Sequence, residues 1–177
     1  MLASIWLLPQ KPQADALQAI IDSLSEAHGT VRFEPHLTVC GALRHLDALD
    51  AVADYVRRSG LLPLSVAKTG IASGVDSPFR AVFTEVVDTP ALRRFRETLR
   101  DMTGAGELHP PHVSLLYSLN RENQRPMPRL DGDRLREIAE GCRDRVPAGE
   151  LIFDRAVLKT AEGGWDNVKS WKLVRTF

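Results

Sequence analysis

The chain has 177 residues, of which 44% are hydrophobic and 26% charged, as is ordinary for a soluble globular protein. Positive and negative side chains balance at 23 each, so the formal net charge is zero. Neutrality argues against a protein that holds long nucleic acid by neutralising phosphates, since such proteins normally carry a basic surplus. A small anionic ligand needs only a few local donors and is not excluded.

The chain begins with an apolar run, MLASIWLL, that stops before Pro9. The run is too short to cross a bilayer and lacks the basic segment that opens a signal peptide. It therefore predicts a buried first strand. Because no later run approaches membrane length, we expect a soluble, cytoplasmic protein with no membrane contact.

Apolar residues at helical spacing predict four helices, over residues 12–27, 46–58, 89–101 and 131–144. Pro12 suits the first turn of the first helix and Gly29 its end, while Thr89 suits the N-cap of the third. The segment 121–145 mixes basic and acidic residues, which is typical of a solvated face. Alternating or β-branched runs predict strands over residues 36–43, 62–70, 79–87, 112–119, 150–160 and 167–177.

The two halves of the chain have the same order of elements: helix, histidine strand, helix, strand ending in Lys-Thr, glycine-containing loop, strand. Their endings, AKTGIASGVDSPFRAVF and LKTAEGGWDNVKSWKLV, are alike, and no low-complexity linker separates them. We therefore predict an α+β fold of two pseudo-symmetric antiparallel sheets, flanked by helices around a central cleft. Residues 1–177 would form a single bilobal domain.

The two histidine strands share the pattern Pro-His-aliphatic-hydroxyl-aliphatic, in EPHLTVCG and in PPHVSLLY. A lone histidine in an apolar run is more often structural than catalytic, but two matches in equivalent strands favour a site. Side chains alternate along a strand, so His36 and Thr38 share one face, and His112 and Ser114 another. The sequence thus predicts two imidazoles and two hydroxyls converging on one cleft.

This set of groups suits the hydrolysis of a cyclic phosphodiester. One imidazole of the pair His36 and His112 can take a proton from the attacking water while the other protonates the leaving sugar oxygen, since histidine titrates near neutrality. The hydroxyls of Thr38 and Ser114 can donate hydrogen bonds to the non-bridging oxygens. This chemistry requires neither metal nor cofactor.

Two rival interpretations concern metal and thiol chemistry. His109 and His112 form an H-x-x-H pair, but residues three apart face opposite ways on a strand and no carboxylate cluster accompanies them. Cys40 and Cys142 are too few for a disulfide framework and lack metal-ligand spacing. Cys40 follows the first motif closely, yet a small buried hydrophobic residue is the simpler interpretation.

The paired motifs resemble the H-x-[ST] signature of the 2H phosphoesterase superfamily. More narrowly, SIWLLP, RFEPHLTV, PHVSLLY and the late LKT…SWKLV resemble, in order, the cyclic phosphodiesterase family of plants and yeast. The resemblance spans almost the whole chain. It implies a bilobal fold and a metal-independent enzyme that opens ADP-ribose 1″,2″-cyclic phosphate and nucleoside 2′,3′-cyclic phosphates, with His36 and His112 as the catalytic pair and Thr38 and Ser114 as phosphate binders.

The resemblance also implies that Tyr117 is a site residue. On a regular strand Tyr117 faces away from His112, so this role requires a twist or bulge. The aromatic residues Trp6, Phe79 and Trp171 are candidates for stacking on a base or ribose, and equally for core packing. Lys68 and Lys159 occupy equivalent places in the two halves, where they either assist anion binding or end their strands in solvent.

Three functional hypotheses follow, led by a cyclic phosphodiesterase that acts on a small-molecule cyclic phosphate, expected to be a monomer. The alternative enzyme acts on 2′,3′-cyclic phosphates at RNA 3′ ends. As the bacterial RNA-processing branch tends to carry Arg where this chain has Tyr117, the resemblance favours small cyclic nucleotides. The third hypothesis is a non-catalytic nucleotide-binding module.

Overall fold

The computed structural model describes residues 2–128 and 130–177, so Met1, in the predicted first strand, lies outside the described residues. This described part contains four α-helices and eight β-strands. The helices are α1 (Lys11–His28), α2 (Leu49–Ser59), α3 (Pro90–Thr103) and α4 (Gly132–Gly141). The strands are β1 (Leu2–Pro9), β2 (Leu37–Gly41), β3 (Leu64–Val66), β4 (Lys68–Ser73), β5 (Val82–Val86), β6 (His112–Leu116), β7 (Leu151–Ala161) and β8 (Lys172–Thr176).

The helices begin and end close to where the sequence predicts. Pro12 lies in the first turn of α1, and Gly29 ends the helix in the left-handed conformation, at φ 67°, which glycine adopts without steric cost. The side chain of Thr89 caps α3 by accepting a hydrogen bond from the Leu92 backbone N–H at 3.2 Å. In the second predicted helix, residues 46–48 form a 3₁₀ turn before α2.

The strands pair antiparallel in the order β3-β7-β1-β2-β6-β5-β4, with β8 beside β7. The two histidine strands, β2 and β6, are neighbours and share a single register pair, Leu37 opposite Val113. This pair joins a first strand set (β1, β2, β3, β7 and β8) to a second strand set (β4, β5 and β6). The predicted α+β class with antiparallel sheets and flanking helices is confirmed.

Each strand set takes strands from both halves of the chain, which differs from the simplest layout of two independent halves. The strand β7 of the second half pairs with the whole length of β1, and the first half's hairpin β4–β5 pairs with β6. The predicted strand 62–70 is broken at Ala67, where the chain passes from one set to the other. Hydrophobic periodicity could not show this exchange, because it reports which face of a strand is buried and not which strand lies beside it.

The alternation predicted along the two histidine strands is confirmed. Leu37, Val39, Val113 and Leu115 are fully buried in one continuous core. This packing holds the histidines and hydroxyls on the opposite face of each strand. Among the described residues, no helix is both long and apolar enough to cross a membrane.

Candidate active site

A cleft with a cavity volume of about 640 Å³ lies where the two strand sets meet. This volume is within the range of small-molecule sites, about 300–1,000 Å³. The structure brings all eight site residues predicted from the sequence to its lining: Trp6, His36, Thr38, Phe79, His112, Ser114, Tyr117 and Trp171.

The first motif runs directly into a β-bulge. On β1, Ile5 lies opposite Cys40 and Trp6 opposite Thr38, so Val39 is an extra residue in β2. A bulge bends its strand and increases the local twist. The hydroxyl of Thr38 is therefore presented at the bend, where β2 turns away from the register of β1.

The second motif is also followed by a β-bulge. Phe83 lies opposite Ser114 and Val82 opposite Leu116, so Leu115 is the extra residue in β6. In both strands the bulge follows the hydroxyl residue of the motif immediately. The pseudo-symmetry of the sequence thus extends to the backbone irregularity that shapes the cleft.

The bulge in β6 explains how Tyr117 reaches the cleft. Leu115 and Leu116 are both fully buried in the core, so the alternation reverses after Ser114. Tyr117 therefore lies on the cleft side, 3% exposed, with its ring stacked on Phe33 at a centroid distance of 3.6 Å. Burial raises the pKa of its hydroxyl, which keeps the phenol protonated at neutral pH.

The imidazole of His36 is fixed by its own backbone turn. Its Nδ1 lies 2.6 Å from the carbonyl oxygen of Glu34, and the residue is 7% exposed. A carbonyl oxygen only accepts, so Nδ1 carries the proton of the neutral ring. Burial lowers the pKa of His36 to about 3, with smaller contributions from the charges of His112 and Lys159 and an opposing one from the Glu34 hydrogen bond.

His112 is held in the same way. Its Nδ1 lies 2.9 Å from the carbonyl oxygen of Pro110, again two residues earlier. The ring meets Phe83 edge-on at a centroid distance of 5.4 Å. Burial lowers the pKa of His112, and the nearby charges of Arg80, Arg96 and His109 lower it further, while the Pro110 hydrogen bond opposes the shift.

Both imidazoles therefore leave Nε2 for chemistry. Among the described residues, neither Nε2 atom has a hydrogen-bond partner, and both rings line the cleft. In the neutral tautomer set by the carbonyls, Nε2 carries a lone pair and acts as a base, and once protonated it acts as an acid. The pair His36 and His112 can thus transfer protons in either direction.

The two hydroxyls differ in whether they already donate a hydrogen bond within the protein. The hydroxyl of Ser114 donates to the carbonyl oxygen of Phe79 at 2.7 Å. Within the described part of the chain, the hydroxyl of Thr38 has no hydrogen-bond partner, although both residues line the cleft. Thr38 can therefore receive an anion directly, whereas Ser114 must first rotate its proton away from Phe79.

Trp6 lines the cleft but is almost fully buried, because its ring lies against His36. The indole and imidazole stack with centroids 3.6 Å apart, and the indole N–H donates to the hydroxyl of Ser4, which itself donates to the Cys40 carbonyl. The ammonium of Lys159 lies 5.6 Å from the centroid of the same indole. These contacts make Trp6 a support for the first imidazole.

Aromatic residues line the cleft on the side of the late loop. Trp171 and Phe79 are half-buried, and each meets Tyr117 edge-on. Sequence reasoning missed Trp165, which also lines the cleft, edge-on to Trp171 and accepting the Trp171 indole N–H at its carbonyl. Its position in the glycine-rich loop AEGGWD, equivalent to the loop that carries Phe79, was the available signal.

Two cations in the cleft lining were also missed, Arg80 and Arg96. Arg80 directly follows Phe79, and its guanidinium lies 5.4 Å from the centroid of the Phe83 ring. Arg96 comes from the buried face of α3 and could not be told from a surface arginine by its sequence context. Both lie close enough to His112 to lower its pKa.

Neither rival chemistry gains support from the arrangement of side chains. In residues 2–128 and 130–177, no three His, Cys, Asp or Glu side chains group as metal ligands do. His109 is exposed in the loop before β6. Burial raises the pKa of the Cys40 thiol to about 11, so the thiolate is scarce at neutral pH.

Two H-x-[ST] strands that meet at one cleft in an antiparallel α+β fold define the 2H phosphoesterases as the class of this protein. The family model described as cyclic phosphodiesterase-like protein matches residues 1–177, and the chain belongs to this family. The predicted assignment to phosphodiesterase enzymes is thereby confirmed.

Individual relatives agree with this assignment. The chain is 24% identical to a 2′,3′-cyclic-nucleotide 3′-phosphodiesterase of Kluyveromyces lactis, over 97% of this chain and 90% of that protein. Two solved structures share the fold: a phosphoesterase (TM-score 0.54, 13% identity, 99% of this chain and 96% of the other) and E. coli LigT complexed with NADP+ (TM-score 0.51, 12% identity, 99% and 95%).

Proposed function

We propose that this protein hydrolyses nucleoside 2′,3′-cyclic phosphates by a metal-independent mechanism in which His36 and His112 are the acid/base pair. The observation that carries the proposal is that the backbone holds the two imidazoles in the same way. Each donates Nδ1–H to the carbonyl two residues earlier and keeps Nε2 free within one cleft. ADP-ribose 1″,2″-cyclic phosphate, a cyclic diester of the same type, is a second substrate in this proposal.

The reaction needs one proton taken and one given. One imidazole accepts a proton from water as the water oxygen bonds to phosphorus, and the other gives a proton to the ribose oxygen whose bond to phosphorus breaks. A water and a leaving oxygen on opposite faces of phosphorus require two separate proton-transfer groups. In the cleft, His36 stands immediately before β2 and His112 at the start of the neighbouring strand β6.

The charge that develops on the non-bridging oxygens needs donors already in place. Thr38 offers a hydroxyl that has no competing partner among the described residues, and Ser114 offers one after it leaves the Phe79 carbonyl. Arg80, in the lining beside His112, adds positive charge on that side of the cleft. Phe79, Trp165 and Trp171 provide ring faces and edges for the base and ribose.

The activity named for the Kluyveromyces lactis relative supports the substrate class and also the choice of which ester bond of the cyclic phosphate breaks. We propose by analogy that the bond to O3′ breaks and a nucleoside 2′-phosphate leaves. We also propose that residues 1–177 act as one bilobal domain and as a monomer, since each strand set draws strands from both halves and all eight predicted site residues lie in one chain.

Phosphorus NMR on a panel of cyclic phosphates tests the proposal, with EDTA present throughout. The panel contains nucleoside 2′,3′-cyclic phosphates, ADP-ribose 1″,2″-cyclic phosphate and an oligonucleotide ending in a 2′,3′-cyclic phosphate. Turnover is expected for the small molecules, with the product resonance identifying the broken ester bond. Alanine at His36 or His112 should each lower kcat by about 100-fold or more, while alanine at His45, which is exposed and does not line the cleft, serves as the matched control.

Other outcomes separate the remaining hypotheses. A large preference for the oligonucleotide, with steep salt dependence, would replace the proposal by RNA end processing. Tight binding of nucleotides without turnover across the panel would replace it by a binding module. Full activity in the protein lacking both His36 and His112 side chains would contradict the two-histidine mechanism.

A further inference from the structure

Arg96 is a buried cation that touches the backbone beside both histidine motifs. It lies on the inner face of α3, 4% exposed. Its Nε donates to the carbonyl oxygen of Val39 at 3.2 Å, and one terminal nitrogen donates to the carbonyl oxygen of His109 at 2.5 Å. Across the described residues, its guanidinium forms no ion pair: Asp88, whose charge acts on Arg96, pairs instead with Arg93.

The two carbonyls belong to the segments that carry the imidazoles. Val39 is the extra residue of the bulge that follows His36 and Thr38. His109 directly precedes Pro110, whose carbonyl accepts the Nδ1–H of His112. One planar guanidinium thus bridges the strand of the first imidazole and the turn that orients the second.

This bridge matters because β2 and β6 hold each other weakly. Their ladder contains a single register pair, Leu37 opposite Val113. The loop before β6 makes one further backbone contact with β2, from Gly106 N–H to the Gly41 carbonyl at 3.1 Å. Arg96 ties the same two segments together at positions adjacent to the motifs.

Packing alone does not explain an arginine at this position. Leu92, Phe95 and Leu99 line the same face of α3 and are buried, so an aliphatic side chain would suit its surroundings. Burying a cation is unfavourable, and desolvation lowers the pKa of Arg96, although the charges of Asp88 and Cys40 oppose this shift. What an aliphatic residue cannot supply is a rigid fork of donors between two carbonyls.

We propose that Arg96 is a positioning residue that sets the separation of His36 and His112 by holding the Val39 and His109 carbonyls. The proposal rests on the two-histidine reaction proposed above. Arg96 itself transfers no proton. It keeps the two Nε2 atoms at the spacing that in-line displacement requires, and misplacement by about 1 Å costs on the order of 100-fold in rate.

Kinetics of three Arg96 variants test this role, with Arg94→Met, at an exposed position on the same helix, as the matched control. Arg96→Met is expected to lower kcat about 100-fold with KM within about threefold of wild type, since binding contacts remain. Arg96→Lys keeps the positive charge but loses the planar pair of guanidinium donors, and it should lower kcat about tenfold. Guanidinium ion added to Arg96→Ala should restore kcat at least tenfold, whereas methylammonium should not.

A second readout does not depend on turnover. In protein labelled with ¹⁵N-histidine, exchange of the His36 and His112 Nδ1 protons with water should be slow in wild type and at least tenfold faster in Arg96→Met. Wild-type turnover on the cyclic phosphate panel reports on the proposed function, and the variant-to-wild-type ratios report on Arg96.

Three results would overturn the positioning role. The first is a kcat of Arg96→Met within about twofold of wild type. The second is unchanged exchange of both Nδ1 protons in this variant, whether or not the wild type turns over. The third is loss of folding in both Arg96→Met and Arg96→Lys, judged by circular dichroism, which would make the residue structural.

Discussion

Trp6 stacks on His36 with ring centroids 3.6 Å apart and planes within 9° of each other. The stack buries one imidazole of the candidate pair and leaves the other, His112, without an equivalent partner, since Phe83 meets it edge-on. The sequence motifs are symmetric, but their surroundings are not. His36 is therefore buried and His112 only half-buried, and burial is the main cause of the lowered pKa of both.

The first prediction concerns the pH dependence of turnover. Because burial lowers the pKa of both His36 and His112, the free enzyme should hold one neutral and one protonated imidazole only on the acid side of 6.5. The bell-shaped profile of kcat/KM should then have its maximum below pH 6.5. A bound phosphate diester is negative and raises the pKa values of both imidazoles. The pH profile of kcat should therefore lie at higher pH than that of kcat/KM.

Steady-state kinetics on a nucleoside 2′,3′-cyclic phosphate between pH 4 and 9, at constant ionic strength, measure both profiles. A maximum of kcat/KM above pH 7 would contradict the expected effect of burial. A kcat profile that coincides with that of kcat/KM would show that the bound phosphate leaves the imidazoles unaffected.

The second prediction assigns an electrostatic role to Lys159. Its ammonium pairs with Glu34 at 2.7 Å, lies over Trp6, and is among the charges that lower the pKa of His36. Replacing it with methionine should raise the pKa of His36, so the acid limb of kcat/KM that belongs to His36 should move to higher pH. Lys172→Met removes an exposed cation that pairs with Glu162 and serves as the control.

NMR titration of the His36 ring protons measures this change directly. A shift of the same size in Lys172→Met would assign the effect to net charge rather than to position. No shift in Lys159→Met would show that solvent screens the lysine from the imidazole.

The third prediction links His36 to stability. Its pKa is about 3 in the folded state and about 6.5 in an unfolded chain, so between these values the unfolded state binds one more proton. The contribution to stability is complete above pH 6.5 and falls by about 1.4 kcal/mol per pH unit as pH decreases toward 3. His36→Asn, which keeps an N–H donor near the Glu34 carbonyl but does not titrate, should flatten this slope.

Urea unfolding at several pH values from 4.5 to 8 gives the free energy of unfolding for each protein. His45→Asn, at an exposed position outside the cleft lining, should retain the wild-type slope. Equal slopes for wild type and His36→Asn would mean that His36 is accessible to protons in the folded state.

Much of the site was predictable because its chemistry is local in sequence. The spacing of His36 and Thr38, and of His112 and Ser114, follows from strand alternation, and the need for a bulge before Tyr117 was visible in the same rule. The exchange of strands between halves was not predictable, since pairing partners depend on edges distant in sequence. Arg96 was missed for a related reason: its two acceptors are backbone carbonyls 57 and 13 residues away, which no side-chain pattern reveals.

The last prediction separates the two hydroxyls. Removing either should weaken phosphate stabilisation and lower kcat by about 10- to 100-fold. Only Ser114 also holds the backbone, by donating to the Phe79 carbonyl. Ser114→Ala should therefore cost about 1 kcal/mol of unfolding free energy, whereas Thr38→Ala, which breaks no hydrogen bond among the described residues, should cost less.

Measurements of kcat and of urea unfolding on the two variants test this asymmetry. Ser114→Cys, which keeps a weak donor, should recover part of the lost stability without recovering the rate, because a thiol is a poor donor to phosphate oxygen. Equal stability losses in Ser114→Ala and Thr38→Ala would contradict the distinction. An unchanged kcat in either alanine variant would remove that hydroxyl from the candidate site, while the other would still be tested by its own variant.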